Sequence, residues 1–116
     1  MSNDLIRPMP RPPAQVEPYV RALGPDLAVQ FLLTYGGAEL TLSDRPGGRS
    51  GHERMLGHDA AKRLAEHAGA GRRIPLANRW LAKMLHWQGM SNAAIARRLR
   101  ITDLTVRRYL KDDTVR

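Results

Sequence analysis

A short pattern occurs twice in this chain, 33 residues apart. Arg21, Leu23, Gly24, Asp26, Ala28 and Gly36 return as Arg54, Leu56, Gly57, Asp59, Ala61 and Gly69, and Phe31 is matched by Leu64. A repeat of this length constrains the fold, because one such unit cannot bury its apolar face alone. Each copy reads as a helix that begins near the Asp and stops at the Gly. A short apolar alternation follows each: Leu40 and Leu42 after the first, Ile74 and Leu76 after the second. Leu27, Phe31 and Tyr35 form one helical stripe; Leu56, Ala60, Leu64 and Ala68 form another. Residues 38–43 alternate Leu40 and Leu42 with Glu39, Thr41 and Ser43, as a half-buried strand does. A lone short strand needs a partner, and a second subunit can supply it. With one Phe, two Trp and three Tyr, the chain is poor in aromatics for a large monomeric core. Small chains with modest cores often complete them by dimerising. The expectation is a homodimer through residues 14–71, with Leu27, Phe31, Leu40, Leu42 and Leu64 at its interface.

Residues 91–110 carry a second pattern. Ile95, Ala96, Leu99, Ile101, Val106, Tyr109 and Leu110 are spaced so that two short helices pack across a tight turn. Ser91 suits the N-cap of the first helix and Thr102 that of the second, since a hydroxyl accepts from a first-turn N–H. Arg100 falls at the turn position often held by Gly, where positive φ costs a non-Gly residue roughly 1 kcal/mol. These features predict a helix-turn-helix. Its second helix would carry Thr102, Asp103, Leu104, Thr105, Arg107, Arg108 and Lys111 toward a DNA major groove. Arg107 is expected near base edges and Arg108 near phosphate.

Charge agrees with that reading. Residues 1–71 hold 8 Lys+Arg and 8 Asp+Glu; residues 72–116 hold 11 and 3. The whole net charge of +8 therefore lies in the C-terminal third, which is the electrostatic footprint of phosphate binding.

The remaining segments read more simply. Pro8, Pro10, Pro12 and Pro13 predict a flexible arm over residues 1–13, with Arg7 and Arg11 along it. Residues 45–51 read as a mobile loop that lacks the Lys-Ser/Thr ending of a phosphate-binding loop. Residues 69–73 are a hinge candidate. Residues 77–89 read as a helix with Trp80, Leu81, Met84 and Leu85 on one face. The absence of Cys excludes disulfides and thiolate metal sites. His52, His58, His67 and His86 have no metal-ligand spacing, and no Ser sits in a nucleophile elbow. Neither an enzyme nor a cofactor or metal site is expected. No apolar run approaches membrane-spanning length and no signal-peptide core follows Met1, so the expectation is a cytoplasmic, nucleoid-associated protein of a bacterial cell, without a membrane partner.

Together these readings predict a mostly α chain with a short β-strand. It would comprise an arm (1–13), a helix–strand dimerisation region (14–71) and a helix-turn-helix domain (72–116). The residues that carry this order are Leu23-Gly24 through Gly36-Gly37, the strand 38–43, the second unit from Leu56 to Gly69 and the C-terminal helix pair. The order resembles the Mor/C family of Mu-like phage transcription activators. The resemblance implies a homodimer that reads successive major grooves of an imperfect palindrome and recruits host RNA polymerase at phage promoters. It also implies strand residues near the minor groove, where this chain has Glu39 and Thr41; phosphate would repel Glu39. The alternative is a DNA-packaging or recombination accessory protein, similar to a small terminase subunit, using the same module.

Overall fold

The computed structural model describes residues 7–43, 45–69 and 72–111. It is mostly helical, with two very short strands. In chain order the elements are α1 (Glu17–Leu23), α2 (Pro25–Tyr35), β1 (Glu39–Leu40), α3 (Gly51–Leu56), α4 (His58–Ala68), β2 (Arg72–Arg73), α5 (Asn78–Trp87), α6 (Asn92–Leu99) and α7 (Asp103–Lys111). They form two compact units, one spanning residues 12–77 and the other joining residues 78–111 with residues 7–11. The division expected between 71 and 72 thus falls after β2.

The larger unit holds the two repeats. Each is helix, Gly corner, helix, strand. Gly24 joins α1 to α2 with φ 80 and ψ 160, and Gly57 joins α3 to α4 with φ 86 and ψ 165. That region of backbone space is essentially reserved for Gly. The short helices α1 and α3 before each corner lie outside the units expected from Leu23-Gly24 and Leu56-Gly57 onward.

The strands extend the relationship. Glu39 pairs with Arg73 and Leu40 with Arg72, antiparallel. Glu39 and Leu40 correspond to Arg72 and Arg73 through the offset of 33. The pairing is therefore reciprocal, the register that a two-fold axis imposes when equivalent elements meet. Backbone bonds from Gly37 to the Ile74 carbonyl (2.8 Å) and from Ile74 to the Ala38 carbonyl (2.7 Å) continue it. Each strand finds its partner in the other repeat of the same chain.

This revises the expected subunit interface. Phe31, Leu42 and Leu64 are 0%, 1% and 0% exposed within the single chain. They form its own core with Val16, Tyr19, Val29 and Ile74, while Leu27 and Leu40 are half-buried. α1 lies against α4, and α2 against α3. Phe31 lies between Tyr19, on which it stacks (6.0 Å), and Tyr35, whose ring is tilted against it (5.4 Å). The Arg63 side chain donates to the Ala22 carbonyl at 2.9 Å, satisfying an acceptor at the end of α1.

Two other segments differ from expectation. In the 45–51 loop, Ser50 caps α3 by accepting from Glu53 N, and the Glu53 carboxylate accepts from Gly48 N at 2.9 Å. Ser50 and Glu53 have the Ser-x-x-Glu spacing of a capping box. Burial raises the Glu53 pKa, but the Gly48 and Ser50 hydrogen bonds and the nearby His52 outweigh it and hold the carboxyl below its ordinary value. Of the hinge candidate 69–73, residues 70 and 71 lie outside the described residues, and Arg72 and Arg73 are tied into the strand pair.

In the smaller unit, Trp80, Leu81, Met84 and Leu85 of α5 are buried, as their spacing predicts, together with Ile95 and Ala96 of α6 and Val106 of α7. Residues 7–11 belong to this unit. The Trp80 indole N–H donates to the Pro10 carbonyl (3.2 Å) and the Trp87 indole N–H to the Arg7 carbonyl (2.8 Å). The Arg7 guanidinium returns a bond to the Trp87 carbonyl at 2.7 Å. The segment expected to be a free arm is held because Trp is a donor that needs an acceptor, and a Pro-rich strand offers carbonyls.

Candidate nucleic-acid interface

α6 and α7 are joined by Arg100, Ile101 and Thr102. The Ser91 hydroxyl accepts from Ala94 N at 3.1 Å and starts α6. The Thr102 hydroxyl accepts from Thr105 N at 3.1 Å and starts α7. Arg100 ends α6 in the left-handed conformation, φ 61 and ψ 45, and is the one non-Gly residue with positive φ among those described. Its N–H donates to the Ala96 carbonyl, so the conformational cost closes one of the orphaned acceptors at the helix end.

The sequence set on α7 divides by burial. Asp103, Leu104, Arg107, Arg108 and Lys111 are exposed, as is Thr102. Thr105 is half-buried, and its hydroxyl lies 3.0 Å from that of Thr102. These two threonines build the cap. At about 100° per residue, Leu104 and Lys111 stand opposite the buried side of α7, and Arg107 and Arg108 flank them on either side. Leu104 is 59% exposed, an apolar side chain in the middle of a charged arc.

Cations beside α7 stand outside the set expected from the sequence. Arg97 and Arg98 are exposed on the last turn of α6, and Arg100 is exposed at the turn. The Arg79 guanidinium lies 4.8 Å from the Tyr109 ring centroid, a cation–π contact that ties α5 to α7. Residues 78–111 contain eight Lys/Arg and a single acid, Asp103. That acid sits in the first turn of α7, where the helix dipole favours it. The charge count in the sequence already held the signal for the α6 cations; what it lacked was the face they occupy.

The chain matches no protein-family model, no curated protein and no solved structure in the three comparisons made. Among the described residues no helix is long and apolar enough to cross a membrane, and no group of His, Asp and Glu is arranged to hold a metal ion.

Proposed function

We propose that this protein is a sequence-specific DNA-binding transcription regulator, in which α6 and α7 act as a helix-turn-helix and α7 enters the major groove of double-stranded DNA. The observation that carries this reading is the outer arc of α7. Its residues are exposed, with Leu104 and Lys111 at the centre and Arg107 and Arg108 on the flanks, and they stand on a helix whose other side is packed against α5 and α6. A major-groove helix needs cations for the phosphate walls and a few side chains for base edges. The strong positive balance of this unit supplies the sequence-independent attraction.

Activation through host RNA polymerase is the mode of regulation that the Mor/C resemblance implies. The palindromic homodimer implied with it loses its structural ground here, because the repeat makes within one chain the contact expected between two. One chain carries one α6–α7 pair and reads one stretch of major groove.

Selection of bound duplexes from a random pool tests the reading. A single uninterrupted motif is the expected outcome. A palindrome with half-sites about 10 bp apart would restore the homodimer. No enrichment of any sequence would overturn the regulator.

A further inference from the structure

The smaller unit contains a pocket of about 260 Å³ whose walls include Arg7, Pro8, Pro10, Lys83, His86, Trp87 and Leu110. Of these, Arg7 and Lys83 are cationic, His86 offers ring nitrogens for hydrogen bonding, and none is acidic. A pocket of this composition suits an anion. Its construction is specific: the Arg7 side of the pocket exists because the two indoles hold the N-terminal segment by its carbonyls. Prolines at 8 and 10 restrict that backbone before it docks, so ordering it costs less than ordering a flexible chain. A guanidinium has five N–H donors in a planar fork, and among the described residues the Trp87 carbonyl takes one of Arg7's.

Position narrows the anion. Leu110 lies on α7 three residues after Arg107 and one before Lys111. Residues three apart on a helix adjoin. The pocket therefore borders the flank of α7 that carries Arg107, at the helix C-terminal end. A groove entered by α7 would bring a phosphodiester backbone past that rim.

We propose that this pocket binds a backbone phosphate of the duplex that α7 reads, and that the docked N-terminal segment is a working part of the DNA interface. Arg7 and His86 contact the phosphate oxygens, and Trp80 and Trp87 are positioning residues that hold Arg7 in place. The inference rests on the DNA reading of α7.

The test uses the full chain and a duplex containing its selected motif. Affinity is followed across a salt series for the wild type, Arg7→Ala and Trp87→Phe, the last keeping an aromatic ring but removing the indole donor. Thermal unfolding of each variant confirms that it is folded. One lost phosphate contact lowers the magnitude of the salt slope by about one unit, and both variants are expected to show this while still selecting the same motif. Neutral methylphosphonate linkages, placed one at a time along the duplex, should weaken the wild type at a flanking position where Arg7→Ala is already insensitive. An unchanged slope and unchanged methylphosphonate profile in Arg7→Ala, with a wild type that binds, would overturn the pocket and leave the DNA reading intact. A wild type that binds no duplex would remove both.

Discussion

Gly24 and Gly57 turn the chain through the same corner, at φ 80, ψ 160 and φ 86, ψ 165, in the two copies of a 33-residue repeat. Nothing lies within 4 Å of the position a Cβ would take at either. The glycines are therefore required by backbone conformation and not by crowding. Gly24→Ala and Gly57→Ala should each cost about 1–3 kcal/mol of folding stability. Urea unfolding measures this. A loss below a few tenths of a kcal/mol at both sites would mean that the corners are not strained for an L residue.

The reciprocal strand register leads to a second expectation. Because β1 and β2 satisfy each other and Phe31, Leu42 and Leu64 are interior, the protein should sediment as a single chain at micromolar concentration. Phe31→Asp should unfold the larger unit outright, since an unpaired buried charge costs several kcal/mol. A wild type that sediments as a dimer, with Phe31→Asp yielding a folded monomer, would return Phe31 to a subunit interface.

Leu104 supplies a third. An exposed leucine at the centre of a charged helix face can meet the C5-methyl group of thymine in the major groove. If it does, replacing one particular thymine of the selected motif by deoxyuridine should weaken the wild type about fourfold, as a buried methyl is worth about 0.8 kcal/mol. Leu104→Ala should bind both duplexes alike. Binding titrations with the two duplexes decide it. Indifference of the wild type to deoxyuridine at every thymine would remove Leu104 from base reading.

How much of this was legible in the sequence depends on the range of the forces involved. The α6–α7 pair could be read because its determinants are local. Ser91 and Thr102 cap their helices by accepting from N–H groups three residues on, and Arg100 ends α6 by bonding its own preceding turn. The repeat was legible too, but a repeat shows that two units need a partner and not whether the partner is internal. That depends on whether the segment from Arg45 to Ser50 lets α3 and α4 return to α1 and α2, which no periodicity reports. The docked N-terminal segment was illegible for a related reason. Its anchors join residues 70 and 80 positions apart, and Pro-rich composition indicates an extended backbone without saying what it lies on. Ser50 and Glu53 were a missed local signal, obscured by the glycines around them.

The central claim is that the outer arc of α7 binds DNA, and Arg107 and Arg108 test it most directly. Affinity for the selected duplex and for unrelated duplexes is measured over a salt series for the wild type, Arg107→Ala and Arg108→Ala. Both side chains are exposed, so neither change should disturb folding. Arg108→Ala should weaken all duplexes alike and reduce the magnitude of the salt slope by about one unit. Arg107→Ala should lose about 1–3 kcal/mol of preference for the selected motif. Wild-type affinity and selectivity in both variants would contradict the account, because the face on which it rests would then not be touching DNA.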